Sequence, residues 1–385
     1  MSAPVVAQMR DSLLTLDQVH QRLQATEPLS TDMVNGDRKI TFKLDPGWET
    51  SLDTTEGTEA VGAVMRIDGT DHRMTKDAAI QAATQVGMSA AYVKKTPGAL
   101  IENHLNYHYG AGLDGDEYKV LSVGENIAAF TRPNVVPFSN LQLLDNAVEG
   151  ICARYGANAE ILADYKFMNT LQQTDIRLIV PEQDRIIANS GMSDVPENAT
   201  DLWSAGIHLT NSLIGKKQTA VEAYLFRWWC TNGCTTTMDE AGVWSRRVDG
   251  QEEDVYAWAR DSVESVLGGL EHRFDQVQAL TALDVRGNTA DVLKDIYSQY
   301  EVPVSQRETI RAEMMDADTL TMYTIMQAIT RSANLEGMDP RRADKLMRIG
   351  GDIPSAVFDT LKAKVWREGN SAQPASQNPY EIVSI

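Results

Sequence analysis

Apolar residues recur along this chain at two spacings, and the spacing changes near residue 245. Upstream, alternation with period two predominates, the pattern of strands with one buried face. Ile40, Phe42 and Leu44, then the run from Val61 to Ile67, predict two strands joined by an acidic loop. Helices are expected over Thr75 to Val86 and Pro97 to Tyr109. Tyr118 to Val123 and Ile127 to Thr131 flank Gly124-Glu125 and predict a hairpin. Leu141, Leu144, Val148 and Ile151 mark another helix. Ile161, Ala163, Tyr165 and Phe167 alternate with Glu160, Asp164 and Lys166, so a half-buried strand is expected there, paired with Thr174 to Val180. After a polar loop at residues 191 to 200, Leu202 to Asn211 and Thr219 to Trp229 predict two more strands.

Beyond Trp244 the period is 3.6: Val255, Ala259, Val263, Val266, Leu267, Leu270, Phe274 and Val277 fall on one helical face. Ser305 and Glu308 have the spacing of a capping box. At the other end, Leu13, Leu16, Val19, His20 and Leu23 predict an amphipathic helix that packs late or on a partner. The expected fold class is therefore α+β: a mostly antiparallel sheet with packed helices, followed by a helical C-terminal region. Its divisions would be an N-terminal helix at 1–35, a core domain at 36–245, a helical region at 246–367 and a disordered tail at 368–385, where Ser, Gln, Pro and Asn dominate.

Composition narrows the function classes. With 385 residues the chain can bury a sizeable core, and 43% hydrophobic content is that of a globular protein. The 35 Lys and Arg stand against 54 Asp and Glu, a net charge of −19, so DNA binding by overall charge is excluded and any nucleic-acid surface must be local. Cys152, Cys230 and Cys234 make no even disulfide framework, which points to a reducing compartment. No signal peptide or long apolar run is visible, and a cytoplasmic protein without membrane contact is expected.

Several motifs are better explained by structure than by chemistry. His104 and His108 sit one helical turn apart, but no third metal ligand is indicated. Cys230 and Cys234 could supply only half of a zinc site, and Gly215-Lys216-Lys217 lacks the first glycine of a phosphate loop. The acidic loops Asp68-Gly-Thr-Asp71 and Asp114-Gly-Asp116-Glu117 read as turns. No nucleophile elbow or dinucleotide fingerprint occurs; no catalytic residue, metal or cofactor is expected, and the balance is against an enzyme.

The least ordinary feature is Trp228-Trp229. Successive residues of a strand face opposite ways, so one indole can enter the core while the other is offered for base stacking. Lys216, Lys217, Arg227, Arg246 and Arg247 lie near in sequence, opposed by Glu222, Asp239 and Glu240. A second cationic zone contains Arg341, Arg342, Lys345 and Arg348, with Lys362, Lys364 and Arg367 further on. The candidate nucleic-acid contacts are Lys216, Lys217, Arg227, Trp228, Trp229, Arg246, Arg247, Arg341, Arg342 and Lys345. The bland reading of both zones is a two-sided buried strand and a solvated helix face.

Asn211-Ser212-Leu-Ile-Gly215, followed by Phe226-Arg227-Trp228-Trp229-Cys230-Thr231-Asn232-Gly233, resembles the central signature of the phage/plasmid-like protein family. The residues that carry the likeness are Asn211, Ser212, Arg227, Cys230 and Asn232. Arg132 to Asn146 resembles an upstream stretch of the same family, though Pro137-Phe138 stands where a Tyr is usual. The likeness would span about Thr75 to Met238. It implies a mobile-element origin and names no catalytic residue. Arg227 is either paired to a carboxylate or offered to a phosphate. The function expected from context and from the aromatic, cationic strand is a phage- or plasmid-encoded, non-enzymatic accessory of DNA replication or recombination that binds or anneals single-stranded DNA. The competing expectation is a self-assembling or host-protein-binding interaction protein without nucleic-acid binding.

Overall fold

The computed structural model describes residues 10–25, 27, 30–34, 38–48, 51–52, 59–110, 117–133, 138–164, 168–169, 173–187, 201–214, 218–228, 232–236, 244–246, 252–285, 289–315, 320–335, 338 and 342–355. They form an α+β fold with two mostly antiparallel sheets. The smaller sheet contains β2 (Ser30–Val34), β3 (Ile40–Leu44), β4 (Ala60–Ile67), β5 (Thr70–Thr75), β6 (Tyr118–Val123) and β7 (Asn126–Thr131), in the order β2-β6-β7-β5-β4-β3. Among its described pairings only β5 with β7 is parallel.

The larger sheet has the order β1-β8-β10-β11-β12-β13, with β9 beside β10 and β14 beside β12. Its strands are β1 (Leu14–Thr15), β8 (Leu162–Ala163), β9 (Met168–Asn169), β10 (Thr174–Ile187), β11 (Asp201–Asn211), β12 (Thr219–Arg227), β13 (Asn232–Thr236) and β14 (Trp244–Arg246). Every residue of β11 and β12 is buried, so both faces of this sheet are covered.

Three helices lie in the crossover from β5 to the β6–β7 hairpin: α2 (Lys76–Gln85), α3 (Ala90–Val93) and α4 (Gly98–Gly110). The small residues Ala78, Ala79, Ala82 and Ala83 let α2 approach the small sheet closely, and α4 inserts Ile101, Leu105 and Tyr109 beside Phe42 and Phe130. α4 also covers the edge strand β3. Asn106 accepts from the Phe42 amide at 2.6 Å and donates to its carbonyl at 2.9 Å, while Glu102 accepts from the Leu44 amide at 2.8 Å. One helical turn nearly matches two strand residues in rise, so side chains four apart can meet alternate backbone groups and close an edge that would otherwise pair with another chain.

On the large sheet lie α5 (Asn140–Tyr155) and α6 (Glu252–Leu280), followed by α7 (Thr289–Gln299), α8 (Val304–Met315), α9 (Met322–Ser332) and a helical stretch at 342–355. One continuous apolar cluster runs from Leu14 through the sheet residues Ile176, Leu178, Ile207 and Val221 to Val263, Phe274, Ile329 and Ile353. The cores therefore divide the chain differently from the expected boundaries at 35 and 245. Val34 to Phe130 form one cluster, and Leu14, Val19 and Leu23 share another with the C-terminal helices. Residues 368–385 lie outside the described residues.

The N-terminal helix is shorter than expected and packs on its own chain. α1 (Leu16–Gln24) starts at a capping box of Thr15 and Gln18, and its Val19 and Leu23 are fully buried. Ser30–Val34 is a strand, because it pairs with Tyr118–Ser122 in the small sheet. Ser305 falls inside α8, so the expected capping box there does not form. Asp68-Gly69 is a turn with both residues at positive φ, as its composition implies. The loop at 114–116 lies outside the described residues.

Candidate functional site

The register of the large sheet assembles a buried charge centre. Arg177 on β10 pairs with His208 on β11, and His208 pairs with Glu222 on β12. Residues directly opposite one another in antiparallel strands point to the same face, so these three side chains form a row across the sheet. Asp175, two residues from Arg177, joins that face. From the helix at 342–355 come Asp344 and Arg348, one turn apart. Arg348 is bidentate on Glu222, with Nη2 2.6 Å from Oε2, and its Nε donates to Asp344 at 3.0 Å.

His208 has no exposed side-chain surface. Its Nε2 lies 3.3 Å from Asp175 Oδ1, and its Nδ1 lies 3.3 Å from Glu222 Oε2. Burial disfavours the imidazolium, but the hydrogen bonds to Asp175 and Glu222 outweigh it and hold the His208 pKa above its ordinary value. Burial likewise opposes ionisation of Glu222 and Asp344. Hydrogen bonds from His208 and Arg348 nevertheless bring Glu222 below the usual carboxylate range, and the charges of His208 and Arg348 do the same for Asp344. At the rim, the Tyr224 hydroxyl donates to Asp164 at 3.2 Å and Gln173 Nε2 donates to Asp175 at 2.5 Å.

The opposite face carries a second buried network, and it takes Arg227. The guanidinium donates through Nε to Asp201 Oδ1 at 2.7 Å and through Nη2 to Oδ2 at 3.0 Å, and neither side chain reaches solvent. Tyr323 on α9 donates to Asp201 at 2.5 Å and accepts from Trp203 Nε1 at 3.1 Å. Burial pushes the Tyr323 pKa well above the ordinary phenol value. Arg227 is therefore paired to a carboxylate inside the protein and cannot contact a phosphate.

Trp228 is also removed from the expected contact set. It is 0% exposed, its Nε1 donates to Ser204 Oγ at 2.6 Å, and the Arg10 guanidinium sits 5.5 Å from its ring centroid. Base stacking at this indole would require opening the core. Trp229, Lys216, Lys217, Cys230, Arg247 and Arg341 lie outside the described residues. Arg246 is the last residue of β14 and pairs with Thr219, while Asn232 begins β13 opposite Arg227. Arg342 is exposed, and the Lys345 ammonium lies 3.0 Å from the Glu301 carbonyl. Arg348, expected on a solvated face, instead enters the charge centre. The His104 and His108 rings lie 4.6 Å apart on α4, tilted by 43°.

Asn211, a residue of the resemblance, has a structural role. Its Nδ2 donates to the Phe138 carbonyl at 2.6 Å and to Asn140 Oδ1 at 2.8 Å, and its Oδ1 accepts from Thr219 at 2.8 Å. Ser212 beside it is buried. Phe138 and Asn140 from one stretch of the likeness thus meet Asn211 from the other in a buried junction. The fold is α+β with charged networks on both faces of one sheet. No protein-family model, curated protein or solved structure matches the chain. Among the described residues, no helix is long and apolar enough to cross a membrane.

Sequence reasoning missed the His208 centre. The available signal was one ionisable residue inside each of three short apolar stretches: Arg177 within 176–180, His208 within 205–209 and Glu222 within 220–226.

Proposed function

We propose that this chain is a non-enzymatic accessory of phage or plasmid DNA replication or recombination that holds single-stranded DNA on a local cationic end of the large sheet. The observation that supports it is the pairing of Arg246 with Thr219. Lys216 and Lys217 precede Thr219 by three and two residues, and Arg247 follows Arg246. Three residues of extended chain span at most about 11 Å, so chain connectivity alone keeps Lys216, Lys217 and Arg247 within that reach of the Arg246–Thr219 pair. In a chain of net charge −19 such a cluster is the kind of local surface that phosphate binding needs. Trp229 follows the far end of β12, which separates base stacking from this cluster. The phosphate contacts therefore carry the reading, and Arg227 and Trp228 have no part in it.

Fluorescence anisotropy of the full chain with a labelled single strand and with the matching duplex at low salt tests this directly. Retention of the single strand with weaker duplex binding is expected.

Exposed apolar side chains on two neighbouring helices favour the second reading, an interaction protein. Tyr92, Leu100 and Tyr107 on α3 and α4 are 51%, 58% and 74% exposed. Aromatic and apolar side chains so placed suit a protein contact. Light scattering alongside the anisotropy distinguishes self-association from DNA binding.

A further inference from the structure

We infer that Asp175, His208 and Asp344 form a binding site for one first-row divalent cation, with Glu222 as the carboxylate that orients the histidine. This is independent of the nucleic-acid reading. One donor atom from each of the three lies within 4.8 Å of the others. Their sources are two adjacent strands and a helix, so the grouping is built by the fold rather than by local sequence.

Three observations point to a cation. The spacing of His208 Nε2 and Asp175 Oδ1 is 3.3 Å. That is close to the edge of a tetrahedron around an ion with bonds of about 2.0–2.1 Å, roughly 3.3–3.4 Å. Behind the ring, Nδ1 faces Glu222 Oε2 at 3.3 Å, and Glu222 is itself held by Arg348. A metal-bound imidazole characteristically gives its other N–H to such a carboxylate, which fixes the tautomer and leaves Nε2 as the ligand. Charge is the third. Asp175, Asp344, Glu222 and the nearby Asp164 bring four negative charges against Arg177, which lies 3.6 Å from Asp344 Oδ1, Arg348 and the imidazolium of His208; a dication that displaces the His208 Nε2 proton leaves four positive charges against four. Buried charge is tolerated only where it is compensated.

One imidazole with carboxylates favours Zn²⁺, Co²⁺ or Mn²⁺ over Ca²⁺. Entry is from the side of the 342–355 helix, where the Asp344 and Arg348 side chains keep 14% and 24% exposure.

The test uses the full chain, stripped with a chelator, dialysed and titrated with Zn²⁺ and, as a spectroscopic probe, with Co²⁺. One equivalent of Zn²⁺ should bind and raise the melting temperature. Co²⁺ should give visible d–d absorption without the near-ultraviolet charge-transfer band that thiolate ligands would add. Asp344→Asn, at the rim of the core, should keep the apo melting temperature within a few degrees and lose the Zn²⁺-induced rise. Glu222→Gln should weaken binding about 10- to 100-fold. His104→Ala with His108→Ala should leave binding intact. Less than a tenth of an equivalent bound by the wild type overturns the inference, and so does a thiolate band with Co²⁺. Unchanged binding in Asp344→Asn contradicts it as well. Should Asp344→Asn or Glu222→Gln fail to fold, the wild-type stoichiometry and Co²⁺ spectrum decide.

Discussion

Asn211, the last residue of β11, donates to the side chain of Asn140, the first residue of α5, across 2.8 Å inside the protein. The same amide also serves the Phe138 carbonyl and Thr219, and Asn140 passes the chain on to Thr174 at 2.9 Å. One side chain therefore fixes where α5 begins relative to three strands. Replacing Asn211 with Leu leaves these partners buried without it. A loss of about 1–3 kcal/mol for each unsatisfied group is expected in denaturant titration. Asn211→Asp should be similarly damaging, since a carboxylate cannot donate to the Phe138 carbonyl.

Arg227 and Asp201 form a pair in which each side chain leaves the other uncompensated if removed. Arg227→Ala or Asp201→Ala should each cost about 3–5 kcal/mol, with the double variant far from additive. Arg227→Lys should not rescue, because the bidentate geometry needs a planar fork. A double-mutant cycle by chemical denaturation measures this. Full additivity would mean the two do not act as a unit.

Trp228→Ala should cost about 3–5 kcal/mol by emptying a fully buried indole site. At temperatures where the variant remains folded, its affinity for single-stranded DNA should equal that of the wild type. Selective loss of DNA affinity with unchanged melting temperature would contradict the placement of this residue.

Gly206 on β11 leaves no room for a side chain, because an added Cβ would fall inside van der Waals distance of the Leu178 carbonyl oxygen on β10. A backbone atom cannot swing away, so Gly206→Ala must shift the strand. Lower melting temperature together with reduced amide-exchange protection in β10 and β11 is the expected signature.

These cases show what was legible in the residues. The β3 and β4 strands follow alternation, as their burial patterns do, because one face meets the core and the other is less covered. α2, α4 and α5 were equally readable from spacing. The short strands Leu14–Thr15 and Trp244–Arg246 were not, since two or three residues carry no period and exist only through distant partners. In β12 Glu222 is a lone charge between Val221 and Ala223, and nothing local names its partner. It is buried because a helix more than a hundred residues away supplies Arg348. Arg227 and Trp228 looked like a contact motif for the same reason: their partners, Asp201, Ser204 and Tyr323, are brought together by pairing and packing that no local pattern displays.

The proposed phosphate-binding site is the end of β12 where Arg246 pairs with Thr219. Its most direct test is the salt dependence of single-stranded DNA affinity for the wild type, for Lys216→Glu with Lys217→Glu, and for Arg246→Glu with Arg247→Glu. If these cations meet phosphates, the logarithm of affinity falls linearly with the logarithm of salt. Each double variant should then bind more weakly for every sequence and show a flatter slope, by about 0.7 for each phosphate no longer neutralised. A wild type that retains no single strand at low salt would contradict the account, as would two charge reversals that leave affinity and slope unchanged.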